Sequence, residues 1–202
     1  MSESRDGALL KFADALAESL EIGTCTTEND VRNAFVGALI GSGITQSHIQ
    51  REVPHPSLPQ SYGWIDLLID DYPAGSRSAI EFKYDRGIPS GYNQPRTQKA
   101  GALFADVVRL LHWPKEDARL IVYVADVEMR DYLTNSPSIL ARVFQEATGR
   151  SVHLDGTSFK GLPATFTRRV TPWPRATRLT TLLHRKIRGD FDTHFVWVFG
   201  VS

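Results

Sequence analysis

Asp66 and the tripeptide Glu81-Phe82-Lys83 set two carboxylates and an ammonium within two short apolar runs, Gly63-Trp64-Ile65-Asp66-Leu67-Leu68-Ile69 and Ser78-Ala79-Ile80-Glu81-Phe82-Lys83-Tyr84. Each run reads as a β-strand. The link between them contains Asp70, Asp71, Pro73 and Gly75, which is turn chemistry, so a β-hairpin is expected. Side chains alternate along a strand, so Glu81 and Lys83 face one side while Ile80, Phe82 and Tyr84 face the other. With matching register, Asp66 joins the first set. Carboxylates at one point of an apolar sheet lose hydration energy unless something compensates. A divalent cation would do so. Mg²⁺ prefers oxygen ligands and keeps several waters, so one or two carboxylates suffice. A cation so held can generate hydroxide and neutralise the charge that builds at a phosphodiester under attack, with Lys83 adding positive charge. A cation beside Lys83 would also lower its proton affinity and make it a candidate proton acceptor. The plainer expectation for the same three residues is an exposed cross-strand salt bridge of Lys83 with Asp66 or Glu81.

The elements that must position these groups follow from periodicity. Leu9, Leu10, Phe12, Ala13, Leu16 and Leu20 predict an amphipathic helix over 7–20. Thr27 followed by Asp30 resembles a capping box, and Val31, Ala34, Phe35, Ala38 and Leu39 continue a second helix that Gly41 and Gly43 stop. A short extended stretch, Ile49–Val53, ends at Pro54 and Pro56 and leads to the hairpin. A polar Gly/Pro-containing loop covers 85–93. A third helix runs from Gln94 or Pro95 to about His112, and Leu120–Ala125 predicts a central strand covered on both faces. Residues 127–147 read as helical with a break at Asn135-Ser136-Pro137. Residues 148–176 read as irregular or as short strands (Thr165 to Val170), Leu179–Ile187 as a short helix, and His194–Val201 as a closing strand. The order gives an α/β layer arrangement around a mixed sheet, in one domain spanning 1–202 with an embellished C-terminal third.

Length and composition set outer bounds. The chain has 202 residues, long enough for one sizeable core, with 42% hydrophobic and 23% charged residues and no formal net charge. The charge is unevenly spread. Residues 1–30 hold seven acids against Arg5 and Lys11, whereas 156–189 hold Lys160, Arg168, Arg169, Arg175, Arg178, Arg185, Lys186 and Arg188 and no acid. A concentrated basic region suits a polyanion, and a solvated basic face is the plainer alternative. Cys25 is the single cysteine, which excludes an internal disulfide and a cysteine-rich zinc site and fits a reducing cytoplasm. No secretion signal and no membrane span are expected. None of the six histidines forms an H-E-x-x-H or H-x₃₋₅-H pair, His55 and His153 read as loop residues, and no P-loop, Rossmann or G-x-S-x-G pattern is present.

With Ile65-Asp66 on one strand, Glu81-Phe82-Lys83 on the next and Glu28 at the start of the preceding helix, residues 27–125 resemble the PD-(D/E)xK nuclease superfamily, the restriction-endonuclease-like fold. Ile65 stands where the family name has proline, a position that varies in the family. The resemblance implies Asp66 and Glu81 as ligands of Mg²⁺ (or Mn²⁺), Lys83 as the group that positions or activates water, and Glu28 as auxiliary ligand, with Glu52 its competitor. The Phe82 carbonyl would face the metal, and Asp66, Glu81 and Lys83 would form the catalytic set. It implies a Mg²⁺-dependent deoxyribonuclease, with roles in restriction, defence or repair, acting on DNA more readily than RNA, and as a homodimer if both strands are cut. The alternative is an inactive nucleic-acid-binding or interaction module of the same fold. An α/β domain with an incidental salt bridge is a third reading. Phosphate contacts are expected from Lys99 on the helix after the strand, beside Gln94 and Gln98, and from Arg168, Arg169, Arg175, Arg178 and Lys186 in the basic elaboration of about 148–202. Arg86 and Tyr92 in the loop after Lys83, and Trp173 as a stacking platform, are further contact candidates, with a packed surface tryptophan the plainer expectation for Trp173.

Overall fold

The computed structural model describes residues 5–202 apart from 60–62, 71, 73–75, 88–94, 115–116, 136–137, 146 and 190–191, and leaves the Arg5 side chain undescribed. Asp71, Pro73 and Gly75 of the hairpin link, Tyr92, Gln94 and the helix break at 136–137 thus lie outside the described residues. Two helices lead, α1 (Arg5–Glu21) and α2 (Glu28–Gly41), followed by a 3-10 turn at Gln46–His48 and strands β1 (Ile49–Pro54), β2 (Trp64–Ile69) and β3 (Ser78–Asp85). Helix α3 (Arg96–Leu111) carries the chain to β4 (Ala118–Asp126), then come α4 (Val127–Thr134), α5 (Ile139–Gln145), β5 (Ser151–Leu154), α6 (Ala164–Val170), β6 (Thr177–Arg188) and β7 (Thr193–Val201).

The seven strands form one mixed sheet in the order β1-β2-β3-β4-β7-β6-β5. Only β3 and β4 run parallel, joined by the α3 crossover, and every other neighbouring pair is antiparallel. Apolar side chains of both faces are buried. On one face α3, α4, α5 and α6 close over Phe104, Tyr123, Phe144 and Trp197. On the other, α1 and α2 cover Phe82, Val122 and Val198. That explains the continuous apolar run of β4, which alternation would otherwise break. Thr27 caps α2 as predicted: its hydroxyl accepts from the Asp30 amide, and the Asp30 carboxylate accepts from the Thr27 amide at 2.8 Å. Phe12 and Phe35, then Phe35 and Phe82, meet edge-on at 5.1 and 5.4 Å between ring centres. This chain of rings fixes the start of α2, and with it Glu28, over the middle of β3.

Two expectations are overturned. Thr165–Val170 is helix α6, not a strand: it packs its buried Phe166 and Val170 on α3, where Gly101 permits the approach. Leu179–Ile187 is not a helix but most of the twelve-residue strand β6. Thr177, Leu179, Thr181, Leu183 and Ile187 are its buried positions, which is period two rather than 3.6. A register shift between Thr181 and Leu183 moves the inward side chains from one face of the sheet to the other: Leu179 belongs to the α3 side, Leu183 and Ile187 to the α1/α2 side. Among the described residues, no helix is long and apolar enough to cross a membrane.

A candidate metal and phosphate site at the opening between β2 and β3

Strands β2 and β3 pair from Ile69↔Ser78 through Leu67↔Ile80 and then part. One step further, the register puts Asp66 opposite Glu81, as expected for the hairpin. The backbone ladder does not continue there. Instead Asp66 Oδ2 accepts the Phe82 N–H at 2.8 Å, so a side chain stands where a strand carbonyl would. Asp66 Oδ1 accepts from the Arg32 guanidinium of α2, also at 2.8 Å. The N–H and C=O of one strand residue leave on the same edge. The Phe82 carbonyl is therefore turned to the same seam, while its ring is buried under α1 and α2. β1 is interrupted at the same level: Arg51↔Leu67 and Val53↔Ile65 pair, and Glu52 between them has φ 51°, a left-handed conformation that a glutamate adopts only under constraint.

Glu81 is 1% exposed, so the solvated cross-strand salt bridge is not what forms. Lys83 turns away from both Asp66 and Glu81. Its Nζ lies 3.2 Å from Glu28 Oε2 and 3.6 Å from Asp106 Oδ2. Glu81 instead meets Arg109 of α3, Nη1 to Oε1 at 2.7 Å, and the other nitrogen of that guanidinium lies 2.6 Å from Asp106 Oδ1. Arg109 is held from behind, since its carbonyl oxygen lies 3.2 Å from Nε2 of the buried His55. Asp106 and Arg109 escaped the sequence reading, as did Arg32. The available signal was a charged residue at an inward position: Asp106 falls three residues after Leu103 on the apolar stripe of α3, and Arg32 follows Val31 on α2 and lies one turn beyond Glu28.

Electrostatics follow from burial. Burial is the main reason the Glu81 carboxyl is pushed well above its ordinary range; Asp106 and Asp66 push the same way and Arg109 opposes them. Asp106 is pushed up to about 6, again chiefly by burial, against the pull of Lys83 and Arg109. For Lys83, burial favours the neutral amine, but Asp106 and Glu28 outweigh it and the pKa rises. Beside Asp106 and Glu28, Lys83 is thus held as an ammonium. The inner cluster contains four acids (Glu28, Asp66, Glu81, Asp106) and three bases (Arg32, Lys83, Arg109). Among the described residues, Asp106 Oδ2 accepts no hydrogen bond. Among the described residues no three His, Cys, Asp or Glu form a metal-holding group. Two carboxylates do meet, Asp66 and Glu81, and as hard oxygen donors they are the residues that could hold a Mg²⁺ or Mn²⁺ ion with its waters.

Of the two auxiliary candidates, Glu28 touches Lys83, whereas Glu52 pairs with Arg32 at 3.6 Å and has a 74% exposed side chain. The basic residues do not gather around this site. Lys99 is at its end of the sheet, donating to the Arg86 carbonyl at 3.1 Å. Lys186 lies over the Phe195 ring, and Arg168 and Arg169 ride on α6 above α3. Arg175 precedes β6. Glu81 is level with Ile121, Phe199 and Thr181 across the sheet, so Arg178 lies three strands away and three residues toward the opposite end. His153 is on β5 rather than in a loop, and Trp173 packs on Phe159 with ring centres 4.8 Å apart. No known protein-family model, curated protein or solved structure matches this chain.

Proposed function

We propose that this chain is a metal-dependent deoxyribonuclease of the PD-(D/E)xK type. The observation that carries the reading is the Asp66 carboxylate set into the opened β2–β3 seam opposite the buried Glu81, with Lys83 two residues on. Asp66 and Glu81 would hold Mg²⁺ or Mn²⁺, with the Phe82 carbonyl on the same edge. A bound ion of this kind supplies charge neutralisation and an acidified water for phosphodiester hydrolysis. The chain's own residues do the rest. Arg32 and the Phe82 amide hold both oxygens of Asp66 and set its orientation. Lys83 remains charged beside the site, ready to pair with a phosphate oxygen or to orient a water as negative charge develops. Glu28 pairs with Lys83 at 3.2 Å, beside rather than toward Asp66 and Glu81, and would act as a positioning residue that releases Lys83 to a phosphate. DNA as the substrate, roles in restriction, defence or repair, cytoplasmic location and a homodimer for two-strand cutting all belong to this proposal.

A second reading is favoured by one observation: Arg32 and Arg109 already occupy the two carboxylates, as they would in a module that binds nucleic acid without cutting it. The two separate on cleavage of plasmid, linear and single-stranded DNA with Mg²⁺ or Mn²⁺, using the natural chain, Asp66→Ala and Lys83→Ala. The nuclease reading expects metal-dependent cutting that falls at least 100-fold in both variants, of the order lost when one transition-state-stabilising group is removed. DNA binding without cutting on any substrate moves the assignment to the binding module. Cutting retained in Asp66→Ala removes this site from the chemistry.

A further inference from the structure

Asp106 and Arg109 lie three residues apart on α3, and Arg109 meets both Glu81 and β2. A single guanidinium spans both acids: Nη1 is 2.7 Å from Glu81 Oε1, and Nη2 is 2.6 Å from Asp106 Oδ1. Nη1 also donates to the Trp64 carbonyl at 3.2 Å. The planar fork of arginine suits this double grip, and a compact lysine ammonium does not reproduce it. Among the described residues Oδ2 of Asp106 has no hydrogen-bond partner, and the Lys83 ammonium lies 3.6 Å from it, in ion-pair range only. Asp106 therefore shares Arg109 with Glu81 and keeps a second oxygen that could take up more of the guanidinium. An ion arriving at Glu81 must share that carboxylate with Arg109 or displace it. Displacing a partly buried arginine is costly when it is left without a partner. Here Asp106 and the Trp64 carbonyl would remain to receive it.

We propose, on the footing of the metal-site reading above, that Arg109 is a built-in competitor for the divalent ion: it occupies Glu81 when no metal is bound and is retained by Asp106 when metal takes Glu81. Metal affinity is then set by α3 as much as by the ligands on β2 and β3. Asp106 and Arg109 are positioning residues in this scheme and neither is a ligand.

The test is Mn²⁺ binding to the full chain without DNA, by calorimetry and by the Mn²⁺-induced rise in melting temperature. It compares the natural chain with Arg109→Lys, Arg109→Gln and Asp106→Asn. Both Arg109 variants are expected to bind Mn²⁺ at least tenfold more tightly, and Asp106→Asn several-fold more weakly. Arg109→Lys keeps the charge and loses the fork. A gain confined to Arg109→Gln would therefore reflect charge alone and overturn the competitor role. Unchanged or tighter binding in Asp106→Asn overturns its part as the receiving acid. Mn²⁺ binding by the natural chain with no change in any variant sinks this inference and leaves the metal site standing. No binding by the natural chain or by either Arg109 variant sinks both, and binding seen only in the Arg109 variants supports the competitor most directly. If Arg109→Gln does not fold, because two buried acids lose their cation, Arg109→Lys and Asp106→Asn carry the comparison.

Discussion

At the scale of single residues, the site is governed by how little water reaches its acids. Asp106 is pushed up to about 6 from an ordinary 3.8, with burial as the largest cause. Its charged form therefore opposes folding. Between those two values the native chain keeps a proton that the unfolded chain has lost, so the contribution of Asp106 to stability declines as pH rises through this range and is flat above it. Glu81, raised by burial and by Asp106, acts in the same sense. Asp106→Asn removes one of the two, and urea denaturation at stepped pH without divalent ions should show a shallower decline between pH 4 and 6 than in the natural chain. An unchanged slope would mean that Asp106 does not take up a proton in that window. Lys83, held as an ammonium by Asp106 and Glu28, adds no slope there.

At the scale of elements, each side chain of the candidate site depends on something buried elsewhere. Glu28 reaches Lys83 because α2 begins at the right place, and the Thr27–Asp30 capping box decides that place. Thr27→Ala should lower stability by about 1 kcal/mol, the usual loss for an N-cap, measured by denaturant titration. Glu28 would fray with the first turn, so any nuclease activity should fall further than stability alone predicts. Helix α3 carries Asp106, Arg109 and Lys99, and it is seated by α6 at Gly101. A Cβ there would lie 3.1 Å from Arg169 Cδ, 3.2 Å from Phe166 Cα and 3.4 Å from Phe166 O. The arginine can move aside, but the backbone of α6 cannot do so without shifting the helix. Gly101→Ala should therefore destabilise by about 1–3 kcal/mol despite the better helix propensity of alanine. A gain in stability would show that the α3–α6 seam is slack.

At the scale of the whole molecule, the seven-stranded sheet separates two jobs. The β2–β3–β4 half with α2 and α3 builds the acid–base cluster, and β5–β7 extend the sheet away from it. A neutral chain with a basic C-terminal third suggested one phosphate-binding face, but the fold distributes those charges. Lys99 lies at the site's end of the sheet, while Arg178 is three strands across and at the far end, about 14 Å of sheet away at the usual strand spacing before the offset along the strands is added. If the chain binds DNA as proposed, Lys99→Ala should weaken that binding and reduce its salt slope by about one, whereas Arg178→Ala should leave both within twofold; binding isotherms at several salt concentrations decide this. Equal losses in the two variants would mean that DNA wraps the whole sheet.

Much of this was legible along the chain because it is local. Thr27 and Asp30 are three residues apart, the apolar run of β4 announces burial on both faces, and alternation puts Glu81 and Lys83 on one side of one strand. Asp66 opposite Glu81 needed only the register of a short antiparallel pair. Strand β6 was missed because Leu179, Leu182, Leu183 and Ile187 also fall at i, i+3, i+4 and i+8, so its apolar residues fit a helical period as well as the two-residue one that burial follows. Thr165–Val170 has β-branched residues at both ends, yet contact with α3 made it helical. The partners of the acids were beyond local reach. Arg109 meets Glu81 across 28 residues, Lys83 meets Glu28 across 55, and Arg32 meets Asp66 across 34. Which cation serves which carboxylate depends on where helices α2 and α3 land on the sheet. Local spacing and periodicity therefore determined the elements and the acid-acid-lysine set, while only tertiary packing decided that Lys83 would leave its strand neighbours for Glu28 and that Arg109 would take Glu81.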